Sequence, residues 1–310
     1  MVDSKHQWKA WLYLLPTLIL LAVFTVWPII NTVRIAFLDG YSMGAALGGK
    51  QFQLGFENFE IVVKYPGFIN CLKNTLLLCV VTVPISTILA LLISVVLNSI
   101  KVLNRFFQTI FFLPYVTNSI AIGMVFAAMF NMVGTALGTD AQIITTAGII
   151  NNFLGLFGVE PINWLSPSPD MYWANMVVMF VYIIWNALPF KILVLLGGLQ
   201  SVNKQYYDAA KVDGTSKTRV FWRITVPLLS PMISYLLITG FIGGFKEYSS
   251  VVGVFGEDMN NGQLQTMVGF IYSAIGKSEG TASAAAIILF AIILVVTLIN
   301  LKVSNKNTHY

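Results

Sequence analysis

Charge is scarce in this sequence. Only 10% of its 310 residues are Asp, Glu, Lys or Arg, while 57% are hydrophobic, and the mean hydropathy is +0.78. A soluble domain carries about 25% charged residues. This chain lacks the polar surface to cover a water-soluble globule, so lipid must solvate much of it. Short segments of alternating polarity are also missing, which excludes a transmembrane barrel. The apolar runs are instead long and continuous, as from Ala284 to Leu301. Histidine occurs only in the tails, at His6 and His309. H-E-x-x-H is absent and no Ser/His arrangement lies within an apolar run, which argues against an intramembrane enzyme. The two cysteines are Cys71 and Cys79. On one helix their Cα atoms would lie about 12 Å apart, too far for a disulfide. With no CxxC and no Cys/His cluster, no structural metal is expected.

The basic excess, a net charge of +5 with pI ≈ 9.1, does not gather in one patch. It falls in the loops flanking the apolar runs, so nucleic acid is not an expected partner. Runs near 20 apolar residues give six candidate spans, roughly 10–37, 72–97, 106–132, 172–198, 228–255 and 282–303. The first follows Lys5 and Lys9. It is longer than the apolar region of a secretion signal, has no A-x-A cleavage site and reads as a retained span. Pro16, Pro28, Pro84, Pro114 and Pro189 lie within the first four spans. Such prolines predict kinked helices, tolerated in a bilayer where neighbours satisfy the freed carbonyls. Lys5, Lys9, Lys101, Arg105, Lys204, Lys211, Lys217, Arg219, Arg223, Lys302 and Lys306 fall on one side with the acids Asp3, Asp208 and Asp213. Opposite them lie Asp39, Glu57, Glu60, Asp140, Glu160, Asp170, Glu257, Asp258 and Glu279. This asymmetry predicts that both termini and the loop between spans four and five face the cytoplasm. Loops at roughly 38–71, 133–171 and 256–281 then face out.

Within residues 140–165, Ile143, Ile144, Ala147, Ile150 and Leu154 recur at helical spacing. They predict an amphipathic helix on the membrane or across a pathway mouth. Asn163, Trp164, Pro167 and Pro169 predict a turn into span four, with Trp164, Tyr172 and Trp173 in the outer aromatic belt. On the basic side, Asn203 to Val212 has no Gly or Pro. Asn203 can cap a helix start, Gly214 suits a left-handed position just past its end, and Thr215 or Ser216 can cap a second short helix. A solvated hairpin is one reading of this segment. The pairing of Ala209 and Ala210 beside Asp208 supports another: small side chains permit close backbone approach to a partner, and the charges set orientation.

D-A-A-K-V-D-G-T from Asp208 to Thr215, followed by Phe221, Ile224, Pro227 and Pro231, resembles the EAA loop of ABC importer permeases. The fuller pattern resembles their carbohydrate branch, the MalF-type permeases of binding-protein-dependent sugar transport. Its other pieces are Gly55-Phe56-Glu57-Asn58-Phe59, Asn74-Thr75, Phe112-Leu113-Pro114, Asn163-Trp164-Leu165, Trp185 with Pro189-Phe190, and Gly198-Leu199-Gln200. Leu15-Pro16 and Trp27-Pro28 in the first span look more like the MalF-type partner than the MalG-type one. The chain departs from the family with Asp208 where Glu is usual and Thr215 where Ala is frequent. The large outer insertion of some MalF-type proteins is absent.

The resemblance implies an all-α polytopic membrane protein of the type I ABC importer permease fold. Six transmembrane helices would carry a cytoplasmic coupling helix. The expected divisions are a tail and first helix at 1–38, an outer loop at 39–71, a core at 72–303 containing the EAA loop at 200–227, and a tail at 304–310. It also implies a second MalG-type permease, two ATPase subunits and an extracytoplasmic solute-binding protein as partners. No cofactor or catalytic residue is expected in this chain; ATP and Mg belong to the ATPase. By that resemblance Asp208 orients the coupling helix, Ala209 and Ala210 permit docking, Gly214 permits the turn, and Asp213 and Pro227 belong to the same loop.

The resemblance further implies sugar contacts midway along the spans on either side of that loop. There Trp185, Asn186, Phe190, Lys191, Phe245, Glu247 and Tyr248 are the candidates. Each aromatic has the commoner reading of lipid-facing or packing side chain, and Lys191 is equally read as snorkelling to an interface. Gly240 and Gly244 form a G-x-x-x-G that predicts close helix packing. Gly276-Lys277-Ser278 resembles the end of a phosphate-binding loop, but Ile271 stands where that loop requires glycine. The rival reading, an ion-coupled secondary transporter, would show inverted repeats and paired buried acids on broken helices. No clear repeat is visible, and Glu247 is the only acid within a span. A neutral oligosaccharide is the default substrate; Lys191 and Lys246 keep an acidic sugar or a sugar phosphate open.

Overall fold

The computed structural model describes residues 7–100, 104–137 and 142–307. Its helices in chain order are α1 (Gln7–Leu21), α2 (Trp27–Ala36), α3 (Met43–Leu47), α4 (Glu57–Lys64), α5 (Phe68–Ser99), α6 (Asn104–Val116), α7 (Ser119–Phe130), α8 (Ile149–Gly155), α9 (Tyr172–Ser201), α10 (Lys204–Val212), α11 (Lys217–Val220), α12 (Val226–Leu228), α13 (Ser230–Gly244), α14 (Ser249–Phe255), α15 (Met267–Ala274) and α16 (Glu279–Asn307). One antiparallel hairpin pairs β1 (Met132–Leu137) with β2 (Gln142–Ala147). The chain forms two compact units, 1–68 with 270–291 and 69–269 with 292–310.

In the first unit, α1 and α2 are joined by a π-helical turn, Ala22–Val26, between Pro16 and Pro28. Each proline lacks a backbone N–H and disturbs the regular ladder. Together they make an apolar rod, Trp8–Ala36, in which the most apolar stretch has no buried residue. The motif Gly55 to Phe59 closes the chain beyond it. Phe37 packs on Phe56 and Phe59 with ring centroids 5.4 and 5.1 Å apart. The buried Asn58 amide donates to the carbonyls of Ala36 and Leu38 at 3.1 and 2.7 Å. Those carbonyls lie at and beyond the end of α2, where no intrahelical donor remains. A Cβ on Gly55 would overlap the Asp39 carboxylate, which explains why glycine stands there.

The second unit holds the core. Across both units, Trp8–Ala36, Phe68–Ser99, Pro169–Ser201 and Glu279–Ser304 are long and apolar enough to cross a bilayer, and Lys217–Leu228 with Ser230–Gly244 supplies a fifth crossing if that bent pair is one span. Two of the six expected spans are interrupted. The third is two helices, α6 and α7, each short of the roughly 20 residues a crossing needs. Asn118 breaks it: its side chain accepts the N–H groups of Ile120 and Ala121 at 2.8 and 3.3 Å and starts a new helix. The fifth begins at Lys217, earlier than expected, and bends by 66°. Pro227 and Pro231 sit in the first turns of α12 and α13 on either side of Leu229. Proline favours a helix start and cannot donate back to the preceding turn, so the bend falls between them. The fifth span breaks again between Gly244 and Ser249.

The helix expected over 140–165 is also corrected. Ile143, Ile144 and Ala147 lie on β2, paired with Ala136, Thr135 and Met132, and only Ile150 and Leu154 fall on a helix, α8. The β-branched run Ile143-Ile144-Thr145-Thr146 prefers a strand. Asp140 lies outside the described residues. Trp164 and Tyr172 are not free belt residues. The indole N–H of Trp164 donates to Asn151 Oδ1 at 2.9 Å, and the Tyr172 hydroxyl donates to Asn74 Oδ1 at 2.9 Å. These bonds belong to a buried amide lattice. Asn175 donates to the carbonyls of Trp164 and Ser166, and Asn260 donates to Asn175 Oδ1 at 2.6 Å.

Two apolar clusters lie along α9. Met176, Val178, Met179, Tyr182 and Ile183 pack with Leu78, Phe126, Phe130, Val251 and Val254. Further on, Ile192, Leu195, Leu196 and Leu199 pack with Ala90, Leu91, Leu97, Leu229 and Leu236. The G-x-x-x-G of α13 lies against α5, as close packing requires. A Cβ on Gly240 would stand 2.8 Å from Val83 Cγ1, and one on Gly244 2.8 Å from Cys79 Sγ.

Candidate functional site

The loop between α9 and α13 is organised by its caps. Asn203 accepts the Gln205 N–H at 3.0 Å and starts α10. At the other end Gly214 has φ +67°. The Thr215 N–H donates to the Ala210 carbonyl at 2.9 Å and the Gly214 N–H to the Lys211 carbonyl at 3.1 Å. These two bonds define a Schellman turn, which requires the left-handed residue that glycine supplies most readily. Ser216 takes the cap position of α11, but its side chain makes no capping bond. The second helix is longer than expected: α11 runs through a π-helical turn, Phe221–Thr225, into α12.

Ala210 is 6% exposed and faces inward. Asp208, Ala209, Asp213 and Gly214 are exposed, as are Tyr206 and Val212. Asp208 and Lys211 form an exposed pair at 3.6 Å, a contact worth little by itself in water. The loop thus presents two acids, one small side chain and two apolar side chains on a capped knob. Pro227 belongs to a different place, the bend before Leu229.

The candidate pathway residues divide among several surroundings. Lys191 does not snorkel. It is 5% exposed, and its ammonium donates to the Val83 carbonyl at 3.1 Å, Ser86 Oγ at 2.7 Å and Thr87 Oγ1 at 2.9 Å, all on α5. All three N–H donors are used. Trp185 and Phe190 leave α9 toward other neighbours. Trp185 meets Phe126 of α7 at 5.2 Å, and Phe190 stacks on Tyr115 of α6 at 5.7 Å and 16°. Asn186 is half-buried, while Phe245 is 1% exposed.

Glu247 and Tyr248 lie in the break between α13 and α14, both half-buried. Ser119, at the start of α7, lies 3.0 Å from the Tyr182 hydroxyl and 3.5 Å from the Ser250 hydroxyl. Two helix breaks therefore meet at one polar hub on α9. Sequence reading missed Ser119, Tyr182 and Ser250 as members of this hub. Asn118-Ser119 was a visible cap signal inside an apolar run. No local pattern joins it to Ser250.

A helical core with two broken spans and an exposed capped knob between crossings defines a polytopic membrane permease. A family model described as "Binding-protein-dependent transport system inner membrane component" matches residues 82–308, and the chain belongs to that family. It is similar to the lactose transport system permease protein LacF of Rhizobium radiobacter, at 28% identity over 94% of this chain and 91% of that one. It is likewise similar to the arabinooligosaccharides transport system permease protein AraP of Bacillus subtilis, at 30% identity over 98% and 91%. Its fold matches a chain of a bacterial alginate ABC transporter solved in complex with an alginate pentasaccharide-bound periplasmic protein. That match has a TM-score of 0.80 and 22% identity, and covers 98% of this chain and 96% of that one.

Proposed function

We propose that this chain is one of two permease subunits of an ATP-driven importer, forming half of the path for a sugar or oligosaccharide. A second permease, two ATPase subunits and an extracytoplasmic binding protein complete the assembly. ATP and Mg act on the ATPase, and this chain is non-catalytic. It lies in the bacterial cytoplasmic membrane with both termini and α10 inside, in keeping with the basic residues around that loop. The carrying observation is the α10 knob: Asp208 and Ala209 outward, Ala210 inward, and the Schellman turn at Gly214 fixing the exit of the chain. ATP-driven closure of the ATPases would pull on this knob, and the path would follow. The relatives' names, lactose and arabinooligosaccharides, support a saccharide cargo.

Gly214→Val tests the reading. A left-handed conformation costs an ordinary residue about 1–2 kcal/mol. Nothing lies within 4 Å of a Cβ at this position, so the change strains only the turn. The variant should insert and fold, yet lose ATPase co-purification and ATP-dependent uptake. Unchanged co-purification and coupled uptake would refute docking through α10.

A further inference from the structure

The α11–α12 helix, Lys217–Leu228, meets α13 at 66°. The chain from Ser230 to Phe255 already runs the length of α9 without it. Leu229 seats on Gly198, close to the end of α9, and Val251 and Val254 of α14 pack with Met176 and Met179 near its start. At 1.5 Å per residue α9 is about 45 Å long, the thickness of a bilayer with its headgroup layers. The bend therefore falls at headgroup level. Crossing helices tilt by about 20° on average, so a helix turned through 66° from α13 runs closer to the membrane plane than to its normal.

The faces of this helix suit that position. Thr225 is buried with its hydroxyl 3.3 Å from that of Tyr207 on α10, and Phe221 and Val226 pack on the cluster around Leu229. Lys217, Arg219, Trp222, Arg223 and Leu228 are exposed. Among the described residues the three cations have no hydrogen bond, ion pair or ring partner. No acid occurs between Asp213 and Glu247. Exposed tryptophan among unpaired cations is the composition of a helix lying in a membrane interface. At the bend a cavity of about 420 Å³ opens toward the end of α16, with Val226, Pro227, Ser230, Ser234, Asn300 and Ser304 in its wall. Ser230 Oγ is buried there and, among the described residues, has no hydrogen-bond partner. A buried hydroxyl left unpaired is costly, and an oxygen of a phospholipid headgroup would satisfy it. We propose that this elbow is a binding site for an anionic phospholipid of the cytoplasmic leaflet, with Arg219 and Arg223 on its phosphate and Ser230 bonding the headgroup in the cavity. The bound lipid would hold the elbow to the membrane surface behind α10. This rests on the importer reading above, which puts α10 inside.

The test uses the complete importer in a non-ionic detergent, titrated with phosphatidylglycerol or phosphatidylcholine, with bound lipids counted by native mass spectrometry. Wild type should retain phosphatidylglycerol in preference. Arg219→Gln combined with Arg223→Gln should lose one bound phosphatidylglycerol per importer, its Kd raised about 25-fold, or fivefold for each basic residue at an anionic surface. Phosphatidylcholine binding and ATPase co-purification should not change. Arg219→Lys with Arg223→Lys should restore most of the retention. Ser230→Ala keeps every charge and should weaken phosphatidylglycerol about fivefold, the scale of one lost hydrogen bond. Undiminished phosphatidylglycerol in the double glutamine variant, equal losses of both lipids, or full retention by Ser230→Ala overturns the proposal. Loss of the ATPase with lipid retention intact also overturns it, because the elbow then docks protein. The lipid results leave the importer reading intact, since that reading fails only if no ATPase co-purifies with wild type or uptake is independent of ATP.

Discussion

Lys191 shows how a single side chain can satisfy a membrane interior. Its ammonium lies between two hydroxyls and a carbonyl, yet those hydroxyls do not depend on it. Ser86 Oγ donates to the Thr82 carbonyl at 2.6 Å and Thr87 Oγ1 to the Val83 carbonyl at 2.7 Å. Removing the cation therefore orphans no donor. Lys191→Met keeps the stem and also removes a buried charge, so its stability should stay within about 1 kcal/mol of wild type. Lys191→Glu places a carboxylate against hydroxyls whose protons are already committed. It should destabilise by about 3–5 kcal/mol, the scale of an uncompensated buried charge. Thermal melting of the purified assembly in detergent would read both. A Lys191→Met assembly that melts normally but transports nothing would show that Lys191 serves the path after all. The sequence showed this lysine inside a span but not its partners, because Val83, Ser86 and Thr87 lie over a hundred positions away on another helix.

At the scale of elements, the closest crossing in the polar hub is between α7 and α14. A Cβ on Gly123 would stand 2.7 Å from both Cα and C of Gly253. The obstacle is backbone, which no rotamer can move. Gly123→Ala gains helix propensity of about 1 kcal/mol, but the overpacking should exceed it and leave a net loss of about 1–3 kcal/mol. Gly197→Ala is the control. It sits in α9 with nothing within 4 Å and should be neutral or more stable by up to about 1 kcal/mol. Equal melting temperatures for the two variants would refute the packing argument. The spans themselves were legible because a bilayer crossing demands about 20 apolar residues, and α10 was legible because caps are local chemistry. The breaks were harder. A polar pair such as Asn118-Ser119 barely lowers the hydropathy of the run around it, though it is enough to restart a helix. The hairpin was misread because Ile143, Ile144 and Ala147 fit a helical spacing, while the β-branched content of the same stretch favoured a strand.

Across the whole molecule, the proposed docking of α10 on an ATPase requires that a displacement of α10 reach the hub at Tyr182, 19 residues back along α9 from its end at Ser201. The extended pair Val202-Asn203 joins α10 to α9 on one side, and the turn at Gly214 joins it to the α11–α12 helix on the other. α9 is a continuous helix of 30 residues, so a displacement at Ser201 is carried along it rather than absorbed. The bent pair has no such continuity, and what ties it to α9 is a contact at the bend. A Cβ on Gly198 would lie 2.9 Å from Leu229 Cδ2 and 3.1 Å from Met232 Cγ, and Leu229 is 1% exposed. Glycine at 198 lets the bend seat directly on α9, so both arms of the loop must move together. Gly198→Val should wedge them apart. The obstructing atoms are side chains that can yield, so the protein should still assemble, with a stability loss of about 1–3 kcal/mol. Transmission should suffer more than folding, with the number of substrates imported per ATP falling and basal ATP hydrolysis persisting. The comparison is uptake against phosphate release in proteoliposomes, with Gly197→Ala beside it. If both variants keep the wild-type ratio, the stroke does not pass through the seat of Leu229 on α9, and α10 must drive the path through one arm alone.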